Sequence, residues 1–503
     1  MTQDPIYIAP AAAIHPLNGT EADGLRFVLS LDRDLQNYEM LDDFDGTLGR
    51  SGRVLLAGSR SFELVTPAGL LTQTAETGRF LGDLGEGPVR QAISDLSPLR
   101  RLLPLTSGQI QTGTLALVDD EGKTQARALL RLLGGGSQPD IALLVPRGLR
   151  GYDTALALLR DRLAACGLSD ARQLRRHLLP DHQDYSAKPE VGFEPEDTAF
   201  DVATDIILAY LPVMQANEPG IIADLDTEFL HDYRVALRKI RSVLSLFRGV
   251  YAQGATDEMK GRFSALMAPT GRLRDLDVYL IDQPQLEAMV PAPLQPGLHR
   301  MFTLFAAERR QTHAALARHL DSKAYRKEYA ALQHMFTARR RLRPGPAADH
   351  PAQDLARQLI WKRYRKICRG GASIGADTAD EHVHALRIHC KKLRYLLEFF
   401  APAFPDPRFS TALRPLKRLQ ETLGLFNDYS VQQASLRAFV AGLDSARVPD
   451  RLDIAQSVGA LIAVLHGRQL AERARVAAGF AGFDDDQTRG IFRELFSDAE
   501  KAA

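Results

Sequence analysis

His231–Arg248 reads HDYRVALRKIRSVLSLFR, and this stretch decides how the rest of the chain is understood. Its basic positions His231, Arg234, Arg238 and Arg241 stand at offsets of 0, 3, 7 and 10. At about 100° per residue these fall within an arc of roughly 80° on an α-helix. Leu237, Ile240, Leu244 and Phe247 occupy a neighbouring arc suited to a core. A solvated basic face ordinarily has Asp or Glu three or four residues away, yet none lies at those spacings from Arg234, Arg238 or Arg241. Like charges at i,i+4 cost about 0.2–0.5 kcal/mol per pair, so something anionic from outside the helix is needed to compensate.

The pattern occurs twice. His384–Arg394 reads HALRIHCKKLR, with His384, Arg387, Lys391, Lys392 and Arg394 at the offsets of His231, Arg234, Arg238, Lys239 and Arg241. A second pair follows each histidine: Gly271-Arg272-Leu273-Arg274-Asp275 leading to Val278, and Gly424-Leu425-Phe426-Asn427-Asp428 leading to Val431. Both displacements are 153 residues (384 − 231 and 424 − 271), which reads as an internal duplication.

The 503 residues suffice for two or three domains, and 45% hydrophobic with 25% charged residues is an ordinary globular composition. The formal charge of +1 hides an asymmetry. Through Phe200 there are 20 Lys and Arg against 27 Asp and Glu, leaving 43 against 35 for the remainder. A polyanion partner therefore belongs to the back part. Three scattered cysteines, Cys166, Cys368 and Cys390, imply neither a disulfide framework nor a zinc cluster. No apolar run reaches the ~18–20 residues of a membrane span. MTQDPIYIAP lacks the basic region of a signal peptide, so a cytoplasmic protein is expected.

Residues 1–176 read as β-rich. Leu25–Leu31, Arg53–Ala57, Phe62–Val65, Leu115–Val118, Thr124–Leu133 and Ile141–Val145 have strand character, and Tyr152–Cys166 turns helical. Gly134–Ser137 interrupts the pattern. Residues 177–196, with Pro180, Pro189, Pro195, His177 and His182, read as a linker. From Asp197 onward helices dominate, in two sets separated by Pro344-Gly345-Pro346: 197–343 and 344–503. Helices are expected at 408–423 and 427–442, either side of the second motif.

The back part resembles the CHAD family, the conserved histidine α-helical domain. The resemblance rests on His231-Asp232-Tyr233-Arg234 with Arg238 and Arg241, Leu273 through Val278, His384, Arg387, Lys391-Lys392-Leu393-Arg394-Tyr395, and Leu419-Gln420 through Asn427-Asp428. It implies an all-α domain of two pseudo-twofold-related four-helix bundles with a basic cavity between them. It also implies inorganic polyphosphate, and by extension other polyanions, as the partner, with association to polyphosphate granules. The expected binding residues are His231, Arg234, Arg238, Lys239, Arg241, Arg274, His384, Arg387, Lys391, Lys392, Arg394, Arg414, Lys417 and Arg418. No cofactor, resident metal or catalytic residue is expected.

The front part resembles the CYTH (triphosphate tunnel) superfamily through Tyr38–Leu48, Ser51–Leu55, Gly122-Lys123-Thr124 and Pro146–Tyr152. This implies an α+β, antiparallel barrel or tunnel-like domain. Catalytic members open with E-x-E-x-K, whose glutamates hold a divalent metal. Here the nearest early strand offers only Asp32-Arg33-Asp34, so a non-catalytic form is expected. Asp42, Asp43 and Asp45 read as acidic turn residues. The alternatives are a triphosphatase in this front domain and nucleic-acid binding through the basic helices. Arg339–Arg343 resembles a nucleic-acid patch but reads as a solvated helix end ahead of Pro344. Trp361–Lys366 mixes aromatic and basic residues as single-strand binders do, with Trp361 and Tyr364 read as core.

Overall fold

The computed structural model describes residues 5–74, 78–134, 140–167, 171–180, 185–194, 196–375, 378–404, 406–444 and 448–497, without the Arg340 side chain. Gly135–Ser137, His182 and Pro195 lie outside them. The chain divides into two compact units, 1–186 and 187–503, and the division falls inside the Pro-rich stretch.

The first unit is one nine-stranded sheet: β1 (Tyr7–Pro10), β2 (Glu21–Ala22), β3 (Leu25–Asp42), β4 (Val54–Ala57), β5 (Ser61–Thr66), β6 (Gly69–Thr74), β7 (Leu103–Val118), β8 (Thr124–Gly134) and β9 (Ile141–Gly148). Every pairing is antiparallel, in the order β1-β9-β8-β7-β3-β4-β5-β6, with β2 against β3. Among the described residues β1 and β6 are the ends of this order, so no hydrogen-bonded ladder closes it into a tunnel. β3 runs far beyond Leu31, because β7 pairs with it on both sides of a register shift between Leu31 and Leu35. Tertiary pairing there overrides the polar composition of 32–37. Two helices, α1 (Asp153–Ala165) and α2 (Ala171–Leu178), bury Ala155, Leu159 and Leu163, and Ala171 and Leu174, in two separate apolar clusters of this unit.

The second unit is helical: α3 (Ala199–Ile222), α4 (Thr227–Leu246), α5 (Gln253–Met267), α6 (Gly271–Ile281), α7 (Gln295–Leu320), α8 (Lys323–Thr337), α9 (Ala352–Ala372), α10 (Asp380–Phe400), α11 (Pro407–Ala441), α12 (Arg451–Phe483) and α13 (Asp486–Phe496). The duplication is visible in the helix starts, since α3 and α9 begin 153 residues apart, as do α4 and α10. One prediction fails informatively. Where 408–423 and 427–442 were expected as two helices, α11 is continuous. In the first copy Pro269 lies in a 3₁₀ turn between α5 and α6; its counterpart in the second copy is Thr422, which leaves the helix unbroken. Gly424 is accommodated inside α11 at a cost of about 1 kcal/mol relative to alanine. α3 is long and apolar enough to cross a membrane by length and composition, but 56% of its apolar window is buried within the unit.

The halves meet about a pseudo-twofold axis. On such an axis a position contacts its own equivalent, and several pairs 153 apart do so. Thr198 bridges Pro351, with Ala199 N–H bonded to His350 O and Ala352 N–H bonded to Asp197 O as its symmetric rungs. Phe247 stacks on Phe400 with ring centroids 5.0 Å apart. The Tyr279 hydroxyl reaches Gln432 O at 3.3 Å. One apolar cluster crosses between the halves, joining Leu276, Phe302 and Phe305 to Leu436, Ile454 and Leu461.

Candidate functional site

Both basic helices are held by their apolar faces. α4 starts at Asp226, whose carboxylate accepts from Glu228 N and Phe229 N, and it buries Tyr233, Leu237, Ile240 and Leu244. α10 buries Val383, Leu386, Cys390, Leu393 and Leu397. This fixes the rotation of each helix, and the basic arc follows at partial exposure.

The two arcs converge. Lys391 is pushed down to about 8, first by burial and then by Arg238 from the other half together with Arg387 and Arg394; Asp428 opposes them. Arg238 and Lys391 are equivalent positions, so the two rows repel each other across the pseudo-twofold. Arg234 is also pulled below its ordinary value, by burial and then by Arg238, while Asp275 pulls it back. Its guanidinium is anchored on the fully buried Thr270 hydroxyl, and its Nε–H is buried without a hydrogen-bond partner. The Arg394 Nε is buried too, but it faces the Glu398 carboxylate at 3.4 Å. An unmet buried donor costs about 1–3 kcal/mol, which an oxyanion would relieve.

Acids border this site without filling it. Asp275 bears on Arg234, and its equivalent Asp428 lies 3.8 Å from Arg387. Glu398 stands 3.4 Å from Arg394. Among the described residues no carboxylate lies within 4 Å of Arg238, Arg241 or Lys391. His384, exposed, is oriented by Asn427 Oδ1 at 2.7 Å from its Nδ1; His231 is half-buried on the equivalent turn of α4.

Several expected members sit elsewhere. Lys239 is 9% exposed, paired with Glu398 and held over the Tyr395 and Phe399 rings at 4.6 and 5.0 Å. It lies about 80° round α4 from His231, outside the basic arc, and carries its own counterion. Lys392, its equivalent, is acted on by Arg363, Arg248, Lys366 and Lys260 rather than by Arg238. Arg274 adds positive charge beside Arg234 but is 3.6 Å from Glu228. Arg414, Lys417 and Arg418 stand exposed on α11, and the cations that act on Lys391 are Arg238, Arg387 and Arg394. The anchors Thr270 and Glu398 were not foreseen. Glu398 was readable as the i+4 acid of Arg394; Thr270 carries no such signal.

In the first unit the acidic turn is engaged by the protein itself. Asp42, fully buried, accepts from Asp43 N, Leu48 N and Gly49 N and pairs with Arg175 at 3.2 Å. Asp43 accepts from the backbone and hydroxyl of Thr47, and Asp45 pairs with Arg100. Asp32, Arg33 and Asp34 are exposed at the register shift of β3. Among the described residues no group of three or more His, Cys, Asp or Glu is placed to hold a metal. Of the stretches that suggested nucleic acid, Arg339 pairs with Asp201 and Asp205, and Tyr364 stacks on Phe492 in the core at 4.1 Å.

Fold and site together define an α-helical domain built twice on one pattern, with a basic helix in each half whose charges act on one another. Residues 205–437 match the family model of the CHAD domain, and the helical unit carries that domain. Among solved structures the chain is similar to the crystal structure of the CHAD domain from the plant Ricinus communis, at 25% identity over 59% of this chain and 96% of that one, with a TM-score of 0.48. It is also similar to PptA from Streptomyces chartreusis, at 17% identity over 58% of this chain and 100% of that one, with a TM-score of 0.41. No curated protein matches the chain. The antiparallel sheet of the first unit is compatible with a CYTH-like domain.

Proposed function

We propose that the protein binds inorganic polyphosphate in the cleft between α4 and α10 and does no chemistry on it. The observation that carries this is the uncompensated charge around Lys391, which its equivalent Arg238 from the other half, Arg387 and Arg394 together depress. Such an arrangement is unfavourable until an anion enters. Ten residues of helix rise about 15 Å, so each row spans several units of a linear polyphosphate. Arginine forks suit bidentate contacts to phosphate oxygens, and the lysine adds a compact charge. His384 is oriented through Nδ1 by Asn427 Oδ1, and as an imidazolium it would have a second N–H, on Nε2, for a phosphate oxygen. The CHAD family likeness supports the same ligand and its granules as the site of action. The acids of the first unit support the non-catalytic reading, because Asp42, Asp43 and Asp45 are all engaged within the protein.

The test is binding of long-chain polyphosphate to the full chain across a salt series. With Arg234, Arg238, Arg241, Arg387, Lys391 and Arg394 engaged, the log–log slope should be about −4. Changing Arg234, Arg238, Arg387 and Arg394 together to Gln should abolish binding, and unchanged affinity would end the proposal. Single-stranded RNA should compete poorly, since stacking wants exposed aromatic rings. Mg²⁺-dependent release of phosphate from tripolyphosphate would overturn the non-catalytic part.

A further inference from the structure

Lys392 belongs to a second group of cations. His389 and Lys392 lie one turn apart on α10, and Arg363 and Lys366 lie one turn apart on the adjoining α9. The Arg363 guanidinium donates to His389 Nδ1 at 2.8 Å. Arg248, just past the end of α4, and Lys260 on α5 complete the group from the other half. Neither Arg363, Lys366, His389, Lys392 nor Arg248 has an acid three or four residues away in sequence. Lys260 has Asp257 one turn before it, and that carboxylate accepts from Gln253. Among the described residues no carboxylate lies within 4 Å of any of the six.

An arginine donating to a histidine is itself informative. Nδ1 accepts only in the neutral ring, so His389 is an uncharged acceptor that takes up a donor no anion is using. Burial, then Arg363, Lys366 and Lys392, hold it in that form. The other charged groups facing the ring are the same cations, so an entering anion would reverse the balance. In the first copy the equivalent of Lys392 is Lys239, which is neutralised by Glu398. The position equivalent to Glu398 in the first copy is Ser245, which offers Lys392 no charge. The duplication has thus lost its counterion on one flank only.

We propose that Arg248, Lys260, Arg363, Lys366, His389 and Lys392 form a second anion site, on the other flank of α10 from the main cleft, that takes a short phosphate-oxygen ligand. The same chemistry is offered by a free oligophosphate and by the end of a longer chain seated in the main cleft. This site needs no step of the polyphosphate reading, because its case rests on its own uncompensated charge.

The experiment uses the full chain, tripolyphosphate as the probe, and calorimetric stoichiometry. Wild type should bind two molecules, the pair K366Q/K392Q one, and the pair R238Q/R387Q one. Both pairs remove mutually repelling charge, so loss of folding is not the expected confound; a thermal melt checks it. A stoichiometry unchanged by K366Q/K392Q overturns the second site. So does complete loss of binding in R238Q/R387Q, which would make the cluster a mere extension of the cleft. If binding survives only in R238Q/R387Q and vanishes in K366Q/K392Q, the cleft reading fails and this one stands. A second readout is the His389 ¹⁵N signal in R238Q/R387Q, assigned with H389N. On adding tripolyphosphate near pH 7 it should move from the neutral toward the protonated shift, and an unmoved signal refutes the site.

Discussion

Replacing Lys391 by Gln should make the empty protein more stable and the anion complex weaker. Burial and the cations Arg238, Arg387 and Arg394 bring Lys391 from 10.5 to about 8. At about 1.36 kcal/mol per unit this is a penalty of about 3 kcal/mol, which partial exposure reduces to about 1–2 kcal/mol. Below pH 8 the lysine is protonated in both folded and unfolded chains, so the full penalty is present. Between pH 8 and 10.5 only the unfolded chain keeps the proton, and the stability of the wild type should rise with pH. At pH 7, thermal unfolding followed at 222 nm should show K391Q melting about 2–5 °C higher. The difference should shrink by pH 10. Polyphosphate affinity of the same variant should fall about tenfold, or 1.4 kcal/mol. A lower melting point would mean that Lys391 is held by favourable contacts in the empty protein. Unchanged affinity would mean that the anion does not meet it. Either result refutes the reasoning.

Anion binding restores the proton on Lys391, so calorimetry at pH 8.5 in buffers of different ionisation enthalpy should reveal uptake of about half a proton or more, and affinity should decline as pH rises through 8. Thr270→Val removes the hydroxyl that holds Arg234 and bonds Met267 O; it should cost about 1–2 kcal/mol in denaturant unfolding and weaken polyphosphate binding severalfold. Glu398→Gln strips the counterion from buried Lys239 and the neighbour of Arg394. It should destabilise the helical unit by about 3 kcal/mol in the same assay, yet tighten polyphosphate binding at low salt.

Much of the helical unit was legible because repetition is a property of sequence itself. The spacing of the two histidine helices gave a duplicated basic face, and the family resemblance implied the pseudo-twofold on which Phe247 meets Phe400 and Tyr279 meets Gln432. The helical period placed Arg234 and Arg238 on one face of their helix and Arg387, Lys391 and Arg394 on the matching face of the other. The same period sets Lys239 and Lys392 about 80° off the arc, and the repeat pattern rather than the helical face brought them into the expected set. What decides their fates is tertiary. Glu398 reaches Lys239 from another helix, and among the described residues no carboxylate comes within 4 Å of Lys392. The second cationic cluster was likewise hidden, since its members come from α5, α9, α10 and the end of α4 and share no motif. In the first unit, β3 was underestimated because its outer half is polar and is held by pairing with β7, a long-range interaction that composition does not encode.

The most direct test is to locate the phosphorus atoms of tripolyphosphate in a crystal of the helical unit or of the full chain. Phosphate density bridging Arg238 and Lys391, within hydrogen-bonding distance of both, is the predicted result. A cleft left to solvent while phosphate settles only on the exposed cations of α11 would contradict the account.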